Sequence, residues 1–365
     1  MSGETILVAA GGTGGHLFPA EALAHALISR GYAVDLATDT RAEKYGQAFP
    51  ARNIYAIPAA TPTGGGVAAK AKAVATLGRG VLACLPLLRR LKPAVVVGFG
   101  GYPTVPPLVA ASLLKIPAVL HEQNAVMGRA NKFLAGRVQK IATGFPLSRA
   151  DAAILAKCTV TGNPLRPAVL EAAKLPCPSF ENGILHVLVT GGSQGAKVFS
   201  DIVPAAIEAL TPEERARIRL VQQARGEDRE RVLAAYKRIG FAAEVEPFFK
   251  DLPARIGAAH LLIARSGAST VAEVAAIGRP AILVPFPFAL DADQAANAAE
   301  LARTGAVEVI DQKVFTVEKA TELLRAALAD PSGLTKRAEA AKSAGILDAA
   351  ERLADMVVGL VRSKG

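Results

Sequence analysis

His16 closes the run Gly11-Gly12-Thr13-Gly14-Gly15-His16, and its imidazole is the first side chain in the sequence suited to moving a proton at neutral pH. The run follows the apolar stretch Thr5 to Ala10 and precedes a helical pattern. Its glycines therefore let backbone N–H groups approach a phosphate or a sugar at a helix N-terminus. A tight βα turn is the plain alternative, although four glycines in five exceed what such a turn needs. At the first turn of that helix the positive helix end disfavours an imidazolium, so His16 is a neutral base candidate, with a purely structural histidine as the competing reading. His121-Glu122-Gln123-Asn124 follows a second apolar stretch, Ala118 to Leu120, at the carboxyl edge where open α/β sheets bind ligands. Four polar residues in a row are costly to bury without partners. They form either a local capping network or hydrogen bonds to a sugar, and the sugar is the favoured expectation.

Gly98-Phe99-Gly100-Gly101-Tyr102-Pro103 repeats the strand-to-glycine pattern and suits a second anionic group. In the C-terminal half, Gly191-Gly192-Ser193-Gln194-Gly195 offers N–H donors at a helix start, fitting a pyrophosphate. Arg265-Ser266-Gly267-Ala268-Ser269-Thr270 opens a helical stretch expected over Val271 to Ile277. Glu273 stands three residues after Thr270, a spacing that fits a capping box and also fits a carboxylate receiving ribose hydroxyls. Asp291-Ala292-Asp293-Gln294 adds a polar cluster. Its two carboxylates suggest Mg²⁺, but as a loop and helix cap they need none.

Elements that would position these groups alternate along the whole chain. Strands are predicted at Thr5 to Ala10, Ala33 to Ala37, Ile54 to Ile57, Ala94 to Gly98, Ala118 to Leu120 and Lys140 to Ala142. A second series follows at Leu185 to Thr190, Ile218 to Gln222, Ala243 to Pro247, His260 to Ala264, Ala281 to Pro285 and Val307 to Ile310. Helical stretches such as Glu21 to Arg30 fill the gaps, which predicts an α/β fold with parallel sheets covered on both faces. TILVAAGGTGG (5 to 15) and ILHVLVTGGSQG (184 to 195) are the same strand-glycine-helix unit, with Gly11 and Gly191 180 residues apart. Two Rossmann-like domains are expected, 1–163 and 164–342, joined near Gly162-Asn163-Pro164, with ligand in a deep cleft between their strand ends. The tail 343–365 reads as an amphipathic helix with Ile346, Leu347, Ala350, Leu353, Met356, Val357 and Leu360 on one face, packing back on the first domain.

Composition narrows the classes further. The 365 residues are 51% hydrophobic, which excludes disorder, and the three cysteines form no C-x-x-C pair, which excludes a disulfide framework or zinc ribbon. The net charge of +10 lies wholly in residues 1 to 163, with 17 Lys and Arg against 7 Asp and Glu; the remainder has 25 of each. No carboxylate side chain lies between Glu43 and Glu122, while nine cations do. Such a field points to an anionic partner. Val67 to Lys92 mixes Lys70, Lys72, Arg79, Arg89 and Arg90 with Val74, Leu77, Val81, Leu82, Leu85, Leu87 and Leu88, suiting an anionic membrane surface, or else a helix buried on its apolar side. The opening MSGETILVAAGG lacks the basic start of a signal peptide, and the uncharged run Ala94 to Leu114 is too rich in Gly and Pro for a bilayer span. Any membrane contact is expected to be peripheral.

Taken together, GGTGGH, GFGGYP, HEQN, TGNPLR, GGSQGA, RSGAST with its Glu, and the region from VPFP to DADQAAN closely resemble the MurG family, the UDP-N-acetylglucosamine transferases of peptidoglycan synthesis, over nearly the whole chain. The resemblance implies a GT-B glycosyltransferase fold. It also implies transfer of N-acetylglucosamine from UDP-GlcNAc to the C4 hydroxyl of undecaprenyl-diphospho-N-acetylmuramoyl-pentapeptide (lipid I), forming lipid II with inversion. By matching motif positions, Thr13, Gly14, Gly15 and Asn124 would reach the donor from the first domain. Arg166 and Ser193 would serve the diphosphate, and Phe249 would lie along the uracil. Ala268, Ser269, Thr270, Val271, Ala272 and Glu273 would hold ribose and phosphate, and Gln294 the sugar hydroxyls. Gly100, Gly101 and Tyr102 would take the acceptor. His16 is the candidate base, with Glu122 in reserve. No cofactor and no metal are expected. The implied partners are UDP-GlcNAc, lipid I, an anionic membrane at the cytoplasmic face of the bacterial inner membrane, and other cell-wall synthesis proteins. Two departures narrow the carry-over: Phe249-Lys250-Asp251 leaves only a backbone contact secure, and Asp293-Gln294 stands where the family commonly has two Gln.

Two other classes fit less well. A nicotinamide-dependent oxidoreductase or nucleotide-sugar epimerase would use Asp35 or Asp39 near the second strand, but G-x-G-x-x-G is absent. A nucleic-acid-binding protein would explain the basic half but needs stacking aromatics, and the chain has no Trp and five Tyr.

Overall fold

Ile6, Leu7, Val8 and Ala9 are all fully buried, so β1 (Thr5–Ala9) is covered on both faces, as a continuous apolar strand in a parallel sheet requires. The computed structural model describes residues 3–11, 14–39, 49–62, 66–180, 183–192, 195–288 and 293–362. It divides into two units, Met1–Arg166 with Leu347–Gly365, and Pro167–Ile346.

In the first unit β1 is followed by α1 (Gly14–Ser29), β2 (Ala33–Thr38), β3 (Ile54–Ala56), α2 (Val67–Leu91), β4 (Val95–Gly98), a 3₁₀ turn at Tyr102–Thr104 and α3 (Val105–Leu113). Then come β5 (Ala118–Glu122), α4 (Arg129–Leu134), β6 (Lys140–Thr143), α5 (Ala152–Leu155) and β7 (Cys158–Val160). All strand pairs are parallel, in the order β3-β2-β1-β4-β5-β6-β7. The order reverses between β1 and β4, which is where a doubly wound sheet opens a crevice for ligand. The loops leaving those two strands are the first two glycine runs, and Gly11 lies against the ring of Pro103.

The second unit comprises α6 (Pro167–Ala173), β8 (Leu185–Thr190), α7 (Lys197–Glu208), α8 (Pro212–Ala216), β9 (Ile218–Gln223), α9 (Gly226–Arg238), β10 (Ala243–Glu246), α10 (Leu252–Ala258) and β11 (Leu261–Ala264). After these follow α11 (Ala268–Ile277), β12 (Ala281–Leu283), α12 (Asp293–Ala302), β13 (Val307–Val309), α13 (Val317–Ala329) and α14 (Pro331–Ser343). Its sheet, again parallel, has the order β10-β9-β8-β11-β12-β13. Here the switch lies between β8 and β11, so Gly191-Gly192 and the start of α11 flank it.

The chain ends in α15 (Ala349–Arg362), which packs on α1 in the first unit through Leu353, Ala354 and Val357, all fully buried. Arg30 ties α1 to α15 through Asp355 at 2.7 Å and through Glu351. The helix begins at Ala349 rather than at Ile346, which lies in the second unit, and Leu347 is half exposed.

Three further expectations are corrected. β5 runs two residues beyond Leu120, because His121 and Glu122 pair with Ala142 and Thr143 of β6. β7 was not anticipated: Cys-Thr-Val is a three-residue, largely exposed edge strand with no apolar run to betray it. Thr270 and Glu273 form no capping box, because α11 begins at Ala268 with Gly267 as its N-cap and no side-chain cap.

Candidate active site

In the first unit, residues 12–13 lie outside the described residues, so Thr13 has no described position. His16 stands in the first turn of α1, half buried, beside the loop after β4. That loop carries φ of +87° at Gly100 and +74° at Gly101, values which side-chain-bearing residues rarely adopt. A Cβ on Gly100 would meet His16 Cε1 at 3.2 Å and Nδ1 at 3.4 Å, and one on Gly101 would meet Cδ2 at 3.4 Å and Nε2 at 3.5 Å. Thr104, fully buried, donates to the Gly101 carbonyl at 2.7 Å and holds the turn, while Tyr102 is half buried.

Behind His16 lies the polar cluster of β5. Gln123 Oε1 is 3.2 Å from His16 Nδ1, and Gln123 Nε2 contacts the Phe99 carbonyl at 2.9 Å and His121 Nδ1 at 3.1 Å. His121 Nε2 lies 3.1 Å from the Gly162 carbonyl. Burial pushes the His121 ring down to about 4, against the Gly162 carbonyl, which favours the charged form, so the ring is neutral at physiological pH. Glu122 is 2% exposed, and its carboxylate accepts from Asn124 N at 3.0 Å, Gly128 N at 2.9 Å and Asn131 Nδ2 at 2.8 Å. Burial raises the Glu122 carboxyl above the usual range, and these N–H donors offset part of that. The local network is thus the alternative that His121, Glu122 and Gln123 adopt, whereas Asn124 remains half buried at the loop surface. Arg166, the last residue of this unit, stacks its guanidinium 3.7 Å from the centre of the Phe18 ring.

In the second unit, Ser193 lies outside the described residues. Gly191 must be glycine, since a Cβ there would fall 2.3 Å from the Ala196 nitrogen. Its N–H donates to Gln223 Oε1 at 3.0 Å. At α11 the N-terminal N–H groups of Ala268, Ser269 and Thr270 have no side-chain cap, which leaves a donor set of the kind that anions bind. Ser269, Thr270 and Ala272 are half exposed, while Ala268, Val271 and Glu273 are buried. Arg265 faces the protein interior: it donates to the carbonyls of Val284 at 2.9 Å and Pro285 at 3.1 Å and to Gln312 at 2.6 Å. Burial brings its guanidinium down to about 10. Gln294 accepts from Phe286 N at 3.0 Å, and Asn297 donates to the Ser266 carbonyl at 3.3 Å. The start of α11, the 284–288 loop and α12 are therefore pinned together. Phe249 is 6% exposed with Arg255 stacked 4.5 Å from its ring centre, so its aromatic face is already covered.

Away from both switch points, α2 is long and apolar enough by length and composition to cross a membrane. Its later turns bury Cys84, Leu87 and Leu88 among residues of α3 and the sheet. Its earlier surface leaves Val67, Val74 and Leu82 exposed among Lys70, Lys72 and Arg79, with Arg89 and Arg90 exposed at its end. Among the described residues no group of three or more His, Cys, Asp or Glu side chains is placed to hold a metal ion.

Asn131, which joins the β5 network, lies outside every motif, while HEQN and RSGAST contain Gln123 and Arg265 without showing that Gln123 organises that network or that Arg265 braces α11. HEQN did mark the place, but only the strand's true end shows which of its side chains point inward.

Residues 6–143 match the glycosyltransferase family 28 N-terminal domain, and residues 186–353 match the glycosyltransferase family 28 C-terminal domain. A protein of Rhizobium rhizogenes named UDP-N-acetylglucosamine--N-acetylmuramyl-(pentapeptide) pyrophosphoryl-undecaprenol N-acetylglucosamine transferase is 54% identical over 365 residues, covering 100% of this chain and 97% of its own. One of the same name from Methylorubrum populi is 57% identical over 355 residues, 96% of each chain. The crystal structure of Acinetobacter baumannii MurG is similar with a TM-score of 0.78 at 29% identity, over 98% of this chain and 99% of that one. The calicheamicin glycosyltransferase CalG4 shares the fold at a TM-score of 0.70 and 18% identity, over 99% of both chains.

Proposed function

The chain belongs to glycosyltransferase family 28, among its MurG N-acetylglucosaminyltransferases, and from that premise we propose how its residues carry out the reaction. Its fold is GT-B, and it transfers N-acetylglucosamine from UDP-N-acetylglucosamine to lipid I, giving lipid II in peptidoglycan synthesis. The observation that carries this assignment is 54% identity across the entire chain to a relative of that name.

The acceptor C4 hydroxyl attacks the anomeric carbon of the donor while the bond from that carbon to the UDP oxygen breaks on the opposite face, which inverts the configuration. UDP keeps the bonding pair. His16 takes the hydroxyl proton, and a positioned base of this kind contributes about 10²- to 10⁴-fold. Developing charge on UDP meets N–H groups at the start of α11, with Arg166 and Ser193 serving the same diphosphate. We assign Ala268 to Glu273 to ribose and phosphate, Gln294 and Asn124 to the sugar, and Thr13, Gly14 and Gly15 to the donor. The uracil meets the backbone at Phe249, because Arg255 covers the ring. Gly100, Gly101 and Tyr102 take the acceptor. We assign Glu122 to holding the 123–128 loop rather than to proton transfer, since its oxygens already accept from Asn124, Gly128 and Asn131.

Membrane contact is peripheral in this reading, at the cytoplasmic face of the bacterial inner membrane. Support comes from α2, whose exposed Val67, Val74 and Leu82 stand among five cations.

The test is a transfer assay with labelled UDP-GlcNAc and a lipid I analogue, in the presence of EDTA. Disaccharide product is expected, and its absence would overturn the assignment. His16→Ala should lower kcat by about 10²-fold or more with donor affinity retained. Near-normal turnover in that variant would remove His16 as the base.

A further inference from the structure

We propose that Gln123 and His121 are positioning residues that hold His16 in the tautomer with its proton on Nδ1, so that Nε2 presents the lone pair. The proposal rests on His16 being the base, and it follows from a chain of hydrogen bonds with only one consistent set of protons. It begins at Gly162, whose carbonyl oxygen can only accept, so His121 Nε2, 3.1 Å away, must carry a hydrogen. In a neutral imidazole the other nitrogen is then an acceptor, and His121 is fully buried and neutral. His121 Nδ1 therefore takes a hydrogen from Gln123 Nε2 at 3.1 Å.

The second anchor fixes the amide independently. Gln123 Nε2 lies 2.9 Å from the Phe99 carbonyl, another group that can only accept, so the nitrogen and oxygen of this side chain cannot be exchanged. The two amide hydrogens are shared among three acceptors, the Phe99 carbonyl, His121 Nδ1 and the His121 carbonyl at 3.3 Å, and Gln123 Oε1 faces His16 Nδ1 at 3.2 Å as an acceptor. His16 Nδ1 must supply the hydrogen. The proton of a neutral His16 is thus drawn to Nδ1, and Nε2 is left basic. When the ring becomes an imidazolium during transfer, the Nδ1–H to Gln123 bond persists and strengthens, since the donor is then charged. The relay is rigid because Gln123 is 3% exposed and its own carbonyl accepts from Asn163 Nδ2 at 3.0 Å. An orienting amide here fills the role that a carboxylate fills in a Ser-His-Asp triad, without adding charge.

Long-range proton–nitrogen correlation spectra of the full-length protein labelled with ¹⁵N-histidine read the tautomer directly. The chain has five histidines, and the His16 signals are those lost in His16→Gln. The expected wild-type spectrum shows protonated Nδ1 and unprotonated Nε2 at His16. Gln123→Met should shift the ring toward the Nε2–H form and lower kcat about 10- to 100-fold, the usual cost of losing a group that orients a reacting side chain, with KM for UDP-GlcNAc within about twofold. A wild-type His16 protonated at Nε2, or a Gln123→Met variant with unchanged tautomer, would overturn the proposal. Should that variant not fold, the wild-type spectrum decides alone. A tautomer that shifts while kcat stays normal would uphold the relay and instead remove His16 as the base.

Discussion

A methyl group on Gly100 would lie 3.2 Å from Cε1 of His16, closer than the ring can tolerate without moving. The backbone at Gly100 also has φ of +87°, so Gly100→Ala carries strain of about 1–2 kcal/mol as well as the contact. Nδ1, the ring atom next to that contact, is held by Gln123, so the ring cannot yield without disturbing that bond. Gly100→Ala should therefore lower kcat by about tenfold or more, since small misplacements of reacting groups are costly. Steady-state transfer kinetics beside urea unfolding separate the two effects. A variant that loses stability but keeps kcat would show that the contact at His16 is without consequence.

His121 makes the first unit sensitive to acid. Its folded ring titrates at about 4, chiefly because burial opposes the charge, with the nearby His16 adding to the effect, whereas the unfolded chain takes a proton near 6.5. The neutral buried ring thus contributes its full stability above about pH 6.5, and that contribution is lost as pH falls toward 4, about 3 kcal/mol for a shift of this size. His121→Gln keeps a donor for the Gly162 carbonyl and has no ring to titrate. Unfolding free energies between pH 7 and 4 should fall more steeply in the wild type than in this variant, and parallel slopes would refute the argument.

The strands were legible in the sequence because parallel, doubly covered strands are continuous apolar runs, as at Ile6 to Ala9 and Val187 to Val189. The two glycine loops were legible for a different reason: each lies where the strand order reverses, and strand-glycine-helix units mark that place. What the sequence hid was direction. Glu122 reads as a sugar contact or reserve base until β5 is seen to run through it, and Phe249 looks available for stacking until Arg255 covers it. Gln123 shows no signal of its own, since its importance depends on the carbonyls of Phe99 and Gly162, groups every residue possesses. Among the motif residues, Gly12, Thr13, Ser193, Gln194, Asp291 and Ala292 lie outside the described residues.

Cys84 lies on the buried face of α2, and burial pushes its thiol up to about 12. At pH 8 it holds almost no thiolate, which is the reactive form. Cys158 and Cys177 are only half buried. A chromogenic disulfide reagent should therefore label at most two thiols per folded chain and the third only after denaturation. Three fast-reacting thiols in the native protein would mean that α2 does not stay seated.

Leu353 places the last helix in the core of the first unit, fully buried beside Leu27 and Val357. Leu353→Ala should cost about 2–5 kcal/mol, the range for leucine truncation in a packed core. Urea unfolding followed by a probe in the first unit measures it. A loss below about 1 kcal/mol would indicate that α15 contributes little to the packing on α1.

The uneven charge of the sequence is tested at α2. Lys70, Lys72, Arg89 and Arg90 are all exposed, so replacing them with glutamate leaves the buried Cys84, Leu87 and Leu88 untouched. Near an anionic leaflet each cation is worth about 1 kcal/mol, so reversing four should weaken association with vesicles containing anionic lipid by at least about a hundredfold. Transfer to a short-chain, soluble acceptor analogue should stay near the wild-type rate, because none of these residues lies near His16 or α11 in the sequence or in the reading of the site. Binding to neutral vesicles, which draws only on Val67, Val74 and Leu82, should change little. If the quadruple variant binds anionic vesicles as well as the wild type does, α2 is not the contact, and the excess of cations in residues 1 to 163 must serve another surface.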